Sequence, residues 1–517
     1  MNKKNRDKEP NSFKGLTPRV RFAPSPTGYL HVGNARTALF NWLFASQKKG
    51  TSILRVEDTD VERSQAKYEK KLIEDLQWLE LAWDEGPESG GEYGPYRQSS
   101  RLDIYKKYTQ KLLKNNRAYY CFCSKEELEK ERETALAAGK MPIYSGKCRT
   151  IPPDKARERI KAGEEAAVRL KTPGKGTLEF NDLIRGKLSF KLNLFGDPIL
   201  VRPNGLPAYN YAVVIDDHLM QISHVIRGED HIANTVRQIL TYRALDFPLP
   251  QFAHLSMVMG EDNTRLSKRH GATAVDQFNK DGILPSALFN YLALLGWSPP
   301  EGKEVLTQDE IIELFNIKKV SRSAAIFDYE KLYWLNRQHI KKLSPREKAE
   351  MAAPHLHKAG FLPDEMTESL WKWLEQAVDA LIERVNKFSD FPAAFSRLFD
   401  FAIDKMGAEE KEILQTECGR KVTLALAERL LDEAEFSYDV LSRISGDIKT
   451  KTGCKGKDLF HPIRVALTGK ISGLALDKFI LLVESGAGLD FPTPLKNCSA
   501  RVSEIIKKIY GLSPKSL

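Results

Sequence analysis

The sequence predicts a multidomain protein, α/β over its first two-thirds and all-α thereafter. Three observations lead there. At 517 residues the chain is too long for one core and implies roughly three or four domains. An apolar strand, a helical run and a second strand follow one another over residues 20–58, the connection of a βαβ unit and hence of a parallel sheet. From about residue 340 to the end nearly every segment has the spacing of an amphipathic helix.

VRFAP (20–24) is a short strand stopped by Pro24 and Pro26. From Asn34 onward Ala35, Ala38, Leu39, Trp42 and Leu43 recur at helical spacing, and SILRVED (52–58) is a strand ending on Glu57 and Asp58. A helix near 62–80 places Tyr68, Leu72, Leu76 and Leu79 on one face. Residues 101–205 break this rhythm with a Lys/Glu-rich helix and short strands punctuated by Gly and Pro, as in KTPGKGTLEF, and read as an insertion. AYNYAVVIDD and QISHVIRGEDH are two expected strands ending in acidic turns. A helix at about 231–245, the strand FAHLSMVM, the loop GEDNTRLSKRHG and a helix over 285–297 follow.

A hydrophobic content of 42% and a charged content of 29% exclude wholesale disorder. No run approaches the ~18 apolar residues needed to cross a bilayer. The start, MNKKNRDKEPNSFKGLT, has no apolar core of a secretory signal, and Asp7 and Glu9 are unlike an acid-poor transit peptide. Residues 1–17 are expected to be a disordered basic tail, and the protein to be cytoplasmic. Six cysteines make no disulfide framework, so Cys418, Cys454 and Cys498 are expected to be reduced thiols. The net charge of +10 favours a polyanionic partner such as nucleic acid.

Two segments carry chemistry. In SPTGYLHVGN, Gly28 and Gly33 allow tight turns and a close approach of backbone to ligand, and free N–H groups opening the next helix are expected to attract phosphate. His31 and Asn34 are donors for phosphoryl oxygens. In TRLSKRHG, Arg265, Lys268 and Arg269 stand beside Ser267 in a loop after a strand, where mobile cations meet the charge of a leaving pyrophosphate. Together the two segments favour a nucleotide site.

The order RFAPSPTGYLHVGN, LRVEDTD, GLPAYNYAVVIDD, HVIRGEDH, RLSKRHGA, FDYEKLYWLN resembles the bacterial glutamyl-tRNA synthetases, which are class I aminoacyl-tRNA synthetases. The resemblance runs from about residue 18 to 340 and continues more loosely to the C-terminus, where PIRVALTG (462–469) also matches. HVGN stands where class I enzymes have HIGH, and RLSKR where they have KMSKS. Asn34 thus replaces the second histidine and Arg265 the first lysine, which leaves no two-histidine clamp.

The resemblance implies a Rossmann-type catalytic domain in two halves, 18–100 and 206–270, split by an acceptor-binding insertion at 101–205. A stem-contact region at 271–345 and a helical anticodon-binding region at 346–517 follow. It implies ATP-dependent activation of glutamate, with Mg²⁺ accompanying ATP, and transfer to the terminal ribose of tRNA(Glu), with tRNA(Gln) a second candidate acceptor and a monomer as the working form. His31 and Lys268 match catalytic positions. His31, Gly33, Asn34, Asp230, Arg265, Ser267 and Lys268 match ATP-binding positions. Arg21, Ser25, Glu57, Tyr209 and Arg227 match the glutamate pocket, where two arginines suit the side-chain carboxylate and Glu57 the α-ammonium.

Cys121, Cys123 and Cys148 make C-x-C-x24-C in the insertion, and Thr150 stands where many relatives have a zinc-binding histidine. Some relatives use a tyrosine in the place of Tyr144. A phenolate is an uncommon ligand, so the sequence favours free thiols over structural Zn²⁺. Basic clusters at Lys318–Lys319, Lys341–Lys342 and Lys507–Lys508, with Trp371 and Trp373, suit phosphates and bases, although most such aromatics are expected in the core. Three rivals stand beside the synthetase. A small-molecule adenylyltransferase has no use for the helical C-terminal region. The enzyme that glutamylates a modified tRNA base lacks a long anticodon-binding region. A non-catalytic tRNA-binding paralogue has no need of His31, Lys268, Arg21 and Arg227 together.

Overall fold

In the computed structural model, which describes residues 15–59, 64–433 and 435–513, the N-terminal βαβ unit forms as its spacing predicts. β1 (Arg19–Phe22) and β2 (Thr51–Leu54) pair in parallel, Arg19 opposite Thr51, with α1 (Val32–Gln47) as the crossover. α1 buries Val32, Ala35, Ala38, Leu39 and Leu43, and Asn41 ties it down by donating from Nδ2 to the Ile226 carbonyl at 3.0 Å. α2 (Ala66–Trp78) buries Leu72, Ile73 and Leu76. Residues 1–14 of the expected tail lie outside the described residues.

The expected insertion carries α3 (Leu102–Lys114), β3 (Ala118–Cys121), α4 (Lys125–Ala137), α5 (Pro153–Lys161), β4 (Ala167–Leu170), β5 (Thr177–Asp182), β6 (Gly186–Lys191) and β7 (Ile199–Val201). β3, β4 and β7 form an antiparallel sheet of their own. The β5–β6 hairpin leaves that sheet and joins β9 (Gln251–Leu255), which it meets in parallel with Asp182 opposite Phe252. β9 pairs in parallel with β8 (His224–Gly228), giving the order β6-β5-β9-β8. β8 lies beside β1, because the Ser223 N–H donates to the Arg19 carbonyl at 3.0 Å and the Arg19 N–H to Ser223 Oγ at 2.8 Å.

One expected strand is a helix. AYNYAVVIDD forms α6 (Tyr209–Leu219), in which Tyr211 to Asp217 are all buried. A helix buried on every side shows no 3.6-residue alternation, and its Val-Val-Ile run mimics a buried strand. The two acids are interior groups rather than a strand-end turn: Asp216 accepts from Arg101 Nε at 2.7 Å and from the Tyr105 hydroxyl at 2.8 Å. α7 (Ile232–Leu245), β10 (Val258–Met259), α8 (Val275–Lys280), α9 (Pro285–Leu294), α10 (Gln308–Leu314) and β11 (Ala325–Ile326), parallel to β10, continue the chain.

Contacts divide the chain into two units: residues up to Asn279 with Pro285–Tyr329, and Lys280–Leu284 with everything from Glu330 on. The second is helical: α11 (Tyr329–Ile340), α12 (Pro345–Lys358), α13 (Glu368–Leu381), α14 (Phe391–Phe399), α15 (Ala408–Gln415), α16 (Glu417–Asp432), α17 (Tyr438–Thr452), α18 (Lys457–Thr468), α19 (Leu476–Gly486) and α20 (Cys498–Ile509). Trp373 belongs to its core, with its ring 4.7 Å from Phe491 and its indole N–H donating to the Leu482 carbonyl at 2.8 Å. Trp371 instead sits under the Arg346 guanidinium at 4.0 Å. Among the described residues no helix is long and apolar enough to cross a membrane.

Cys418 and Cys454 are not free thiols. They form a disulfide with Cα atoms 5.9 Å apart, made possible because α16 and α17 pack together and bring the start of one to the end of the other. Nothing in the 36-residue spacing announces it. A cross-link of this span stabilises by about 3–4 kcal/mol in the chain-entropy account. A dithiol reductant is therefore expected to lower the thermal midpoint of the native chain and to leave that of a Cys418→Ser/Cys454→Ser variant where it is.

Candidate active site

A cleft of about 700 Å³ opens beyond the C-terminal ends of β1, β8 and β9. This is where an open parallel sheet presents its ligand site. Its walls include Arg21, Ser25, His31, Gly33, Asn34, Glu57, Tyr209, Arg227, Asp230, Arg265 and Ser267, so every residue expected in the ATP and glutamate sites whose side chain is described lines it. Lys268 opens a 3₁₀ turn, Lys268–His270, directly after Ser267, and its side chain lies outside the described residues. Backbone bonds join the two motif segments: the Val32 N–H donates to the Thr273 carbonyl at 2.9 Å and the Val275 N–H to the Leu30 carbonyl at 3.0 Å.

At one end the cleft is built from buried charge. The parallel ladder continues beyond β2, with the Glu57 N–H donating to the Pro24 carbonyl at 2.9 Å, which sets Glu57 beside Ser25. Arg55, fully buried, donates from Nη1 to Asp217 Oδ1 at 2.7 Å and from Nη2 to Glu57 Oε1 at 3.1 Å. Arg21 reaches the same Asp217 oxygen through Nε at 3.1 Å. Burial alone would raise the Asp217 carboxyl, but Arg21 and Arg55 outweigh it and hold it below the usual range. Burial wins at Glu57, whose carboxyl is pushed up despite the same two arginines.

Arg227, on β8, donates from Nη2 to Thr235 Oγ1 and Gln238 Oε1, each at 2.7 Å, while its buried Nη1 has no partner among the described residues. Burial pushes this guanidinium down. An unpaired guanidinium nitrogen in a buried wall is costly unless a ligand completes it. Three guanidinium groups (Arg21, Arg55, Arg227) against two carboxylates (Asp217, Glu57) leave one positive charge, which suits a ligand bearing one net negative charge such as an acidic amino acid. Tyr209 closes this end, its hydroxyl 3.3 Å from His231 Nδ1.

The other end is neutral at its turn and basic at its loop. His31 caps α1, its Nδ1 accepting from the Gly33 N–H at 3.3 Å, so the ring proton lies on Nε2, which is left to donate. Burial and the nearby Arg265 cation keep this ring below the usual histidine range, hence uncharged. The expected free N–H groups at the helix start are not free. Val32 is bonded to Thr273, Gly33 to the His31 ring, and Asn34 and Ala35 both to the His31 carbonyl at 2.9 Å. Phosphate donors at this turn must therefore be side chains. The basic loop folds back on β10 through a bridge between Met259 and Arg265. His270 fixes it: Nδ1 accepts from the Ser267 N–H at 3.0 Å and Nε2 lies 3.1 Å from Asp262 Oδ1.

Several residues of this site escape sequence reading. Arg55 and Asp217 are charges inside apolar runs, which is a signal once the runs are known to be buried. Arg36, buried on α1 and held to the Ser256 carbonyl at 2.9 Å, is pushed down by burial to about 10. His231 and His270 carry no local signal.

In the insertion, Cys121, Cys123 and Cys148 come together with their sulfur atoms within 4.8 Å of one another. The Tyr144 hydroxyl lies 3.4 Å from Cys121 Sγ and 3.6 Å from Cys123 Sγ, and Cys123 and Cys148 are 3.5 Å apart. The ligand–ligand edges of a tetrahedral Zn²⁺ with sulfur and oxygen donors are about 3.5–3.8 Å, and these three separations lie close to that range.

The helical unit holds a second hollow of about 340 Å³, floored by Leu398 and Phe479 and rimmed by Arg384, Arg397, Arg464 and Lys470. Arg384 and Arg464 donate to the carbonyls of Gly473 and Leu474, at 2.6 and 2.7 Å. The lysine clusters singled out in the sequence are less concentrated: Lys341 is paired with Glu383 at 2.9 Å and Lys508 with Glu504 at 3.3 Å.

A family profile described as the catalytic domain of the class I tRNA synthetases (E and Q) matches residues 18–334, and one described as an anticodon binding domain matches residues 347–485. The chain is 46% identical over 465 residues to glutamate–tRNA ligase 1 of Caldicellulosiruptor saccharolyticus, covering 90% of this chain and 96% of that one. It is 42% identical over 467 residues to the glutamate–tRNA ligase of Bacillus subtilis, covering 90% and 96%. The crystal structure of a glutamate tRNA ligase from Elizabethkingia meningosepticum in complex with its amino acid superposes with a TM-score of 0.84 at 30% identity, covering 95% of this chain and 100% of that one. On this match over most of its length, the chain belongs to the glutamate–tRNA ligase family of the class I tRNA synthetases.

Proposed function

We propose that the protein joins L-glutamate to tRNA(Glu) at the expense of ATP, with tRNA(Gln) as the second candidate acceptor. The observation that carries this is the unpaired Nη1 of Arg227 at the end of the cleft where three guanidinium groups face two carboxylates, with the neutral His31 donor and the basic loop lining the same cleft. Arg227 and Arg21 receive the side-chain carboxylate, Glu57 the α-ammonium, and Ser25 and Tyr209 close the pocket. The α-carboxylate is left facing the α-phosphate of ATP and attacks it, so that pyrophosphate leaves. The terminal ribose hydroxyl of tRNA then attacks the acyl carbon and AMP leaves. No protein nucleophile is needed. His31 Nε2 and Asn34 donate to phosphoryl oxygens, Asp230 binds on the nucleotide side, and Arg265, Ser267 and Lys268 meet the leaving pyrophosphate. Mg²⁺ arrives on ATP and shields its charge.

The segments 18–100 with 206–270, 101–205, 271–345 and 346–517 serve this as catalytic, acceptor-binding, stem-contact and anticodon-binding parts. The Arg384/Arg397/Arg464/Lys470 hollow lies inside the stretch matched as anticodon-binding, and its apolar floor under a cationic rim suits a base with its phosphate. Charging occurs where tRNA is, in the cytoplasm, and there the local thiol poise sets the state of the Cys418–Cys454 bond. Cys121, Cys123, Cys148 and Tyr144 hold a structural Zn²⁺, which cross-links the end of β3 to the segment before α5. Their spacing supports this over free thiols. Metal analysis of the purified chain is expected to give about one zinc per chain, lost in Cys123→Ser; a metal-free native chain contradicts the assignment.

ATP–pyrophosphate exchange with tRNA present tests the function. Exchange dependent on glutamate is expected, and its absence in folded protein overturns the reading.

A further inference from the structure

We propose that Asp182 and His254, buried behind the cleft, are positioning residues that hold the Arg227 guanidinium in register with the side-chain carboxylate of the amino acid. The proposal rests on reading Arg227 as the arginine that receives that carboxylate.

Asp182 is the last residue of β5 and is delivered by the inserted hairpin; His254 lies on β9 and is fully buried. Asp182 Oδ1 accepts the backbone N–H groups of Ile184 at 2.9 Å, Arg185 at 2.8 Å and His254 at 3.3 Å. With Oδ1 so fixed, Oδ2 faces His254 Nδ1 at 2.6 Å. A carboxylate taking this many donors stays ionised and can only accept, so the imidazole proton sits on Nδ1 and Nε2 presents a lone pair. That lone pair faces Thr235 Oγ1 at 2.9 Å and Arg227 Nε at 3.4 Å.

The consequence is a determined order of protons. Nε of Arg227 donates to His254, both hydrogens on Nη2 are taken by Thr235 and Gln238, and Nη1 alone is left for a ligand. The opposite tautomer would donate from Nε2 to Thr235 Oγ1, turn the Thr235 hydroxyl away and leave the Arg227 Nε–H facing an N–H in place of an acceptor. The same hairpin turn also grips the neighbouring strand end: Arg185 Nη2 lies 2.5 Å from Glu229 Oε2, and Glu229 Oε1 accepts the Met257 N–H at 2.7 Å. The inserted segment therefore sets the amino-acid pocket from behind without touching the amino acid. Holding a long side chain in one geometry is what such support contributes to a site.

The test is glutamate-dependent ATP–pyrophosphate exchange with tRNA(Glu) in the full-length protein. Asp182→Asn keeps Oδ1 for the backbone donors but puts an NH₂ where Oδ2 was, which forces the proton onto His254 Nε2. The expected result is a KM for glutamate raised about 10-fold or more, the size of a lost hydrogen bond to a charged group, with kcat and the KM for ATP nearly unchanged. Adding His254→Gln, whose Oε1 takes the place of the Nε2 lone pair without a tautomer to set, is expected to restore the glutamate KM. A merely structural lesion would not be rescued. If Asp182→Asn does not fold, His254→Phe, which fills the volume without the lone pair, reads the same quantity. Arg227→Lys is measured alongside. If it leaves the glutamate KM unchanged, the assignment of Arg227 fails and the proposal with it. If it raises that KM while Asp182→Asn and His254→Phe do not, the assignment stands and the relay is overturned.

Discussion

Lys268→Ala lowers kcat for glutamate-dependent ATP–pyrophosphate exchange by about 10²–10³-fold, the loss that follows removal of one group stabilising charge in a transition state. The expectation follows from what the opposite wall lacks. The first four N–H groups of α1 are all bonded within the protein, His31 is an uncharged donor, and Asn34 is neutral where the HIGH pattern has a second histidine. Charge on the leaving pyrophosphate must therefore be met from the loop, whose course is fixed by the Met259–Arg265 bridge and by His270. A lysine at position 268 is a compact charge on a flexible stem and can follow the pyrophosphate as it departs. Exchange that survives Lys268→Ala at near its native rate would remove the loop from the chemistry.

Arg227→Ala raises the KM for glutamate about 100-fold or more, because the excess positive charge in the pocket vanishes and the buried ligand carboxylate is left with Arg21 alone, which is already shared with Asp217, at a cost of about 3 kcal/mol. The same substitution narrows the preference for glutamate over glutamine, since the neutral amide no longer leaves a guanidinium without its counter-charge. Steady-state exchange with each amino acid checks both parts. Glu57 adds a pH signature. Its carboxyl is pushed up by burial, and it must be ionised to receive an ammonium group. As kcat/KM titrates the free protein, kcat/KM for glutamate is expected to fall on acidification at a pH above the usual carboxylate range. A profile flat through that range contradicts the role of Glu57.

The βαβ unit was legible because the apolar residues of α1 recur at helical spacing between two short apolar strands, and because β1 and β2 run on into the prolines and acids that mark the cleft. α6 was not, because burial on all sides erases the period that tells a helix from a strand. The site residues on the two motif segments were legible from chemistry that needs donors and cations in a turn. Their partners were not: Arg55 is joined to Asp217 across 162 residues and Asp182 to His254 across 72, by the parallel crossovers and the inserted hairpin, and no local spacing encodes that. The free helix N-terminus failed as an expectation because Thr273, contributed from the far side of the basic loop, takes the first N–H. The Cys418–Cys454 bond was hidden for a related reason, since it depends on how α16 and α17 pack.

The central claim is that one cleft activates glutamate and passes it to tRNA. Incubating the purified protein with ATP, labelled glutamate and either purified tRNA(Glu) or tRNA(Gln) tests it directly. Label attached to tRNA(Glu) through a base-labile ester is expected, dependent on ATP and formed about 10²–10³-fold more slowly by Lys268→Ala. Folded protein that attaches label to neither tRNA would contradict it.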